Sequence, residues 1–414
     1  MARKLINDPH APHCVLYVND KELPDTTMKL ISDITFEDES DMSSSIHFIV
    51  TYQRNVVGGV SNVILDNKLF TPGNKVVLKG GYGTDLVVMG AGYIAELEPN
   101  FSEDSSPTLK VICYDKLQNM SLLKSETGRS WPATFRDSQV ATYVGSESGF
   151  VIQKAESASV AGIRGTRKRL GEEPRVQKRG ESNYDFLRSL ADQNGFELCT
   201  KYDPKAKKFR LYFEPHRDQT QPIMSFSYGD DDTSYSVTPR SGTMSGVLRS
   251  FNPKFSVTAQ FTKYRAYSTN KDGKQIAHTT TLGEFIEEKG DMKLGGVFAD
   301  SLINLSQTKS GVSVQNSVAG DVVEVVSTKI FTSRKEANEY LKLHMRRLAR
   351  DYITGSGAIK GNQYIQSRQV ITLTGLGVFF NGDYYVKRAT HTFNQDGFET
   401  TFDVRKRTSE EKTR

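Results

Sequence analysis

The feature that most limits what this chain can become is a recurrence of short, alternating apolar runs closed by turn signals. Over the first part of the sequence, residues 14–18 stop at Asn19 and Asp20, residues 46–52 alternate, and residues 75–79 follow Pro72 and Gly73. Residues 86–89 lead into Gly90 and Gly92, and residues 93–97 and 109–114 complete the set. Successive side chains on a strand face opposite ways, so runs of this kind bury one face and need a second sheet, or their own closure, to cover it. No helix-length periodicity interrupts them, which predicts an antiparallel barrel or sandwich over residues 1–120. The connection Gly80 to Gly83 reads as a tight turn and not a phosphate loop, because Thr84 and Asp85 follow it in place of Lys-Ser/Thr.

The next segment, residues 121–240, has a different rhythm. Val140, Ala141 and Val144 share a helical face, with Asp137 as the expected N-cap and Gly149 as the stop. A clearer helix follows: Ser182 caps it, Asp185 sits three positions on, Phe186, Leu187, Leu190 and Ala191 form its stripe, and Gly195 ends it. Strands over 196–200 and 208–214 make this an α+β insertion. From 241 to 414 the strand pattern returns, with residues 255–261 alternating. A loop-rich stretch is expected at about 270–330, and a helix over 334–352 that opens on the box Ser333 to Glu336. That helix carries Ala337, Leu341, Met345, Leu348 and Tyr352 on one face. A flexible link at Gly355 to Gly357 and strands at 369–374, 382–386 and 399–404 close the chain. The expected fold is mainly β, with two barrel-like domains and a small inserted α+β domain.

Composition narrows the chemistry. With 54 Lys+Arg against 49 Asp+Glu the net charge is +5 over 414 residues, too small for a chain that wraps nucleic acid. No run approaches a membrane-spanning length, and the N-terminus lacks a signal-peptide core. Cys14, Cys113 and Cys199 are odd in number and scattered, so they read as buried apolar residues of a chain made in the cytoplasm. His10 and His13 are the one close histidine pair and lack further ligands at metal-site spacing. The acidic runs at 37–41 and 230–232 read as solvated faces or turns, and the basic residues Arg164, Arg167, Lys168, Arg169, Arg175, Lys178 and Arg179 as a solvated loop without base-stacking aromatics.

Two stretches carry a resemblance. Gln177, Glu181, Ser182, Tyr184, Phe186, Leu187, Ala191 and Gly195, and then Gly375, Gly382, Tyr385, His391, Gly397 and Phe398, resemble the phage late control protein D family. These are baseplate hubs of contractile tails, similar to the hub portion of VgrG spikes. Gln366-Ser367 stands where that family commonly has Pro-Gly, and residues 270–330 do not align with it. The resemblance implies two related tube-like domains per chain and a homotrimer that joins a sixfold tail tube to a threefold spike. It implies the spike, the tube or its initiator, other baseplate proteins and the tape measure protein as partners, a place in a virion or injection-particle baseplate assembled in the host cytoplasm, no cofactor or metal, and no catalytic residue. No specific binding of nucleic acid is expected. The competing expectation is a cell-wall hydrolase of the same particle, for which the abundant carboxylates are the motive.

Overall fold

The computed structural model describes residues 11–51, 54–55, 59–60, 68–103, 105–155, 162–166, 174–217, 220–229, 236–240, 243–255, 263–269, 273–281, 323–327, 331, 333–351 and 353–407. Six strands make the first β unit: β1 (Pro12–Val18), β2 (Ile31–Glu39), β3 (Ser45–Thr51), β4 (Lys75–Tyr82), β5 (Asp85–Asn100) and β6 (Thr108–Tyr114). Six more make the second: β7 (Met224–Tyr228), β8 (Thr243–Phe255), β9 (Ile353–Lys360), β10 (Val370–Thr374), β11 (Gly382–Asn394) and β12 (Gly397–Lys406). The protein is thus mainly β, as the alternating runs require.

One sheet runs through both units, in the order β1-β4-β5-β6-β3-β2-β11-β10-β7-β8-β9-β12, and pairing of β11 with β12 closes the second unit into a six-stranded barrel. The first half of β11 belongs to that barrel, with Val370 opposite Tyr385. Its second half pairs antiparallel with β2, from Arg388 opposite Glu39 to Phe393 opposite Ile34. The β11–β12 tip therefore enters the first unit, where Phe393 and Phe398 lie in one core with Leu16, Phe36, Ile46, Phe48 and Val111. Their rings stack 4.1 Å apart.

Glycines make this closeness possible. A Cβ on Gly90 would lie 2.3 Å from the Phe36 ring, so β5 runs unbroken through Gly90 and Gly92 where the sequence suggested two strands. The Gly355 to Gly357 link, expected to be flexible, is likewise the middle of β9: Cβ atoms there would strike the Phe251 and Phe402 rings.

The α+β insertion contains α1 (Lys116–Leu122), α2 (Asp137–Glu147) and α3 (Asn183–Asn194), a ribbon of Arg129–Trp131 with Arg175–Gln177, and a four-stranded sheet built on the hairpin Phe196–Asp203 and Lys208–Pro215. Its core of Trp131, Val140, Val144, Phe186, Leu187, Leu190, Leu198, Leu211 and Phe213 is continuous with Val77 and Ala91 on the outer face of the first unit. Each such side chain contributes roughly 1.5–3 kcal/mol by leaving water, which holds the insertion against that face. Asp137 is the first residue of α2 and not its cap; Arg136 occupies that position, and Gly149 follows the helix at φ +76.

The stretch expected to be loop-rich holds more order. Strand Gln275–Thr281 pairs with Lys263–Thr269, which pairs in turn with Val323–Val326. Helix α4 (Arg334–Arg350) covers this sheet, and Tyr264, Ile276, Phe331, Ala337, Leu341 and Met345 form a separate core. Ser333 caps α4 by accepting from the Glu336 amide at 3.2 Å, as its box predicts. Tyr352, the alternating run past Phe255, residues 230–232 and residues 282–322 lie outside the described residues, as does the side chain of Leu348.

Candidate functional site: a polar junction between three parts of the chain

Groups that the sequence scatters over more than 350 positions meet where the first unit, the insertion and the second barrel touch. Asp38, read from sequence as part of a solvated acidic run, is buried. Its carboxylate pairs with Lys201 Nζ from the insertion and accepts from the Ser367 amide of the second barrel at 2.9 Å, while Lys201 also donates to Ser367 Oγ at 2.8 Å. Alternation along β2 turns Phe36 and Asp38 to the same face, and only a cation brought from a distant segment makes that burial tolerable. A second buried acid, Asp115, accepts from Ser43 Oγ, the Ser44 and Leu117 amides and Thr200 Oγ1, so it caps α1 and ties the first unit to the insertion's hairpin.

The third cluster is the most charged. Arg368, at φ +71 just after the Gln366-Ser367 departure from the family pattern, sends Nε to Glu197 Oε2 at 2.6 Å and Nη2 to Glu214. Left-handed backbone costs a residue with a Cβ on the order of 1–2 kcal/mol, which a doubly paired guanidinium offsets. Tyr385 and His216 also hydrogen-bond to Glu197, Arg217 pairs with Glu214 at 2.9 Å, and Arg405 sits 4.3 Å over the Tyr385 ring. Burial opposes ionisation of Glu197, but Arg368, His216 and Tyr385 outweigh it and hold its carboxyl well below the usual range. Burial, followed by the Glu197 charge, pushes the Tyr385 phenol well up. Every carboxylate named here is engaged by cations or by hydroxyl and amide donors, so the junction clamps three parts of the chain together.

The family profile described as the Alg8 N-terminal domain matches residues 59–395. The chain belongs to the Alg8 N-terminal domain family. This match carries a different description from the late control protein D family that the motifs resemble. Its fold is shared with solved tail proteins along nearly the whole length. The 43 kDa tail protein of prophage MuSo2 from Shewanella oneidensis superposes with a TM-score of 0.63 at 12% identity, covering 96% of this chain and 99% of that one. A tail protein from Neisseria meningitidis MC58 gives 0.58 at 9% identity, over 96% and 97%. No curated protein matches the sequence.

In this family member the residues singled out from sequence fall into two groups around the junction. Gln177 is buried and bridges Glu181 O, Asn183 Oδ1 and Arg129 Nε at 3.0–3.1 Å. Ser182 caps α3 through the Asp185 amide at 3.0 Å, Gly195 ends it at φ +65, Phe186 stacks on Trp131 at 5.0 Å, and Leu187 and Ala191 are buried. Glu181 accepts from the Lys178 amide at 2.7 Å. Tyr184 leaves this group to donate to Asp41 O of the first unit at 3.2 Å, and Arg188 joins it there at 3.0 Å. In the second group Tyr385 and His391 lie on β11, Gly397 and Phe398 open β12, and Gly375 and Gly382 bound the β10–β11 connection; a Cβ on Gly375 would lie 2.2 Å from Tyr228 O.

Sequence reading missed Asp115, Lys201, Glu197, Glu214 and Arg368, and it misplaced Asp38 and Arg175. Arg175, counted in the solvated basic loop, is fully buried and pairs with Asp137 at 2.8 Å. The local pattern gives no signal for the two glutamates: Glu197 to Thr200 are buried without alternation, and Glu214 breaks the alternation that runs from Lys208 to Phe213. Arg167, Lys168 and Arg169 lie outside the described residues, as does His10. Among the described residues no group of three or more His, Cys, Asp or Glu is gathered as for a metal, and no helix is long and apolar enough to cross a membrane.

His391 makes the junction sensitive to acid. Its Nε2–H donates to Ile365 O at 3.0 Å, and Nδ1 lies 3.0 Å from Thr400 Oγ1, which donates to it when the ring is neutral. Burial lowers its pKa to about 4. The unfolded chain takes up that proton near pH 6.5, so stability is full above this value and falls as pH drops from 6.5 to about 4, by on the order of 3 kcal/mol. Urea midpoints measured across that range should fall for the wild type, and fall less for His391→Gln.

Proposed function

We propose that this chain is the structural baseplate hub of a contractile tail or injection particle, a trimeric ring between a sixfold tail tube and a threefold central spike. The observation that carries the reading is the doubled six-stranded unit: three copies would present six similar units on one face while keeping threefold symmetry for the other. The likeness in fold to a prophage tail protein and to a second tail protein supports it, as does the resemblance of the signature residues to late control protein D. A structural role fits the junction, whose carboxylates join segments through cations and hydrogen-bond donors. The partners are then a spike protein, the tube or its initiator, other baseplate proteins and the tape measure protein, and the setting is a particle baseplate assembled in the host cytoplasm.

The test is the native mass of the purified chain, alone and with the tube and spike proteins encoded beside it. Three copies of a 46.3-kDa chain give about 139 kDa. A chain that stays single and binds neither partner overturns the reading. Release of peptidoglycan fragments, abolished by one Asp or Glu substitution, would favour the hydrolase in its place.

A further inference from the structure

The two β units share one strand order. Read as cycles, their strand orders are β1-β2-β3-β6-β5-β4 and β7-β8-β9-β12-β11-β10, so each strand of the first unit takes the place of the strand six places later; directions agree except at the first strand, since β1 runs antiparallel to β4 and β7 runs parallel to β10. The units differ in closure. In the second, β7 pairs with β8 from Met224 opposite Met244 to Tyr228 opposite Leu248. In the first, among the described residues, β1 and β2 do not pair, and β2 takes the outer half of β11 on that side.

Bulges fix the correspondence residue by residue. The β11–β12 ladder shifts register between Val386 and Arg388, and the β5–β6 ladder between Ile94 and Glu96. Arg388 therefore matches Glu96, and counting on, Phe393 matches Phe101. The shifts ending at Thr35 in β2 and Ser250 in β8 likewise match Phe36 with Phe251 and Glu39 with Lys254.

What β11 and β2 do inside the chain, β5 and β8 are left ready to do. Past Ile94, β5 has a strand partner only in β6, and past Leu248, β8 has one only in β9, among the described residues. Glu96, Glu98, Asn252 and Lys254 are exposed. Phe101 is 59% exposed, whereas its counterpart Phe393 is 7% exposed in the core it enters. An open edge of this length is a liability unless something pairs with it; Pro99 and Pro253, which cannot donate, each leave such a ladder one hydrogen bond short.

We propose that residues 96–101 of one copy pair antiparallel with residues 249–254 of a second copy of this chain, in the register that β11 and β2 use within one chain. Glu96 then faces Lys254 as Arg388 faces Glu39, the same ion pair with its signs exchanged. Phe101 approaches the second barrel beside Phe251 as Phe393 enters the first beside Phe36. The exchange of signs also keeps the contacts apart, because Arg388 placed against Lys254, or Glu96 against Glu39, would set like charges face to face. The contact is head-to-tail and repeats from copy to copy, which suits a ring. It deepens the assembly reading above and rests on it.

Mass measurement on the full chain over a concentration series tests the pairing with Glu96→Lys, Lys254→Glu and the double exchange, all at exposed positions. Each single change should weaken assembly by at least about tenfold, and the double change should recover most of it. Cysteines placed together at 96 and 254 should give oxidised species linked between copies. Assembly of the wild type that neither single change weakens overturns the pairing and leaves the assembly reading standing. A wild type that stays monomeric at about 100 µM overturns both.

Discussion

Replacing Arg368 with alanine should remove about 3–5 kcal/mol of stability, measured as the shift in urea unfolding. The loss is large because the change strands two buried acids at once. Glu197 is 0% and Glu214 3% exposed, and Arg368 reaches both. Arg217 and His216 stay with the acids but approach from the insertion's own chain, so they cannot restore the tie to the second barrel. Two outcomes separate this account from simple loss of volume. Arg368→Lys should rescue little, since one ammonium cannot serve both carboxylates in the forked geometry. A triple exchange, Arg368→Met with Glu197→Gln and Glu214→Gln, should recover a substantial part of the loss, because the desolvated charges leave together.

Phe393→Ala should cost a similar amount, about 3–5 kcal/mol, and change the manner of unfolding as well. Its ring belongs by chain position to the second unit and by packing to the first, stacked on Phe398 and filling space that Gly80 leaves open. Calorimetry should resolve a first-unit transition moving to lower temperature, apart from the rest. Phe402→Ala is the control: Phe402 is also buried but lies in the second barrel's own core, so it should destabilise without separating the units.

The elements that the sequence announces are those whose signals are local. Ser182 with Asp185, Gly195 and the stripe of α3 lie within one helix length, as do Ser333 and Glu336 of α4, and all sit where their spacing puts them. The alternating strands were legible for the same reason. Ion pairs across the junction were not, because Asp38 and Lys201 are 163 positions apart and Arg368 and Glu197 are 171 apart. Taken singly, each looks like an ordinary surface charge. Glycine misled in the other direction: Gly355 and Gly357 resemble a hinge until the Phe251 and Phe402 rings that need their bare backbones are brought alongside. The short sheet around Gln275–Thr281 was hidden because its covering helix lies beyond a long stretch without clear periodicity.

The crossing of β11 into the first unit also sets an order of events during synthesis. Ile34 waits for Phe393, a separation of 359 positions, before that side of the first sheet is paired. At about 5–20 residues per second the wait is on the order of tens of seconds. Over that interval an unfinished sheet with an open β2 edge hangs from the ribosome, and the first unit is completed only by residues made up to 359 positions later.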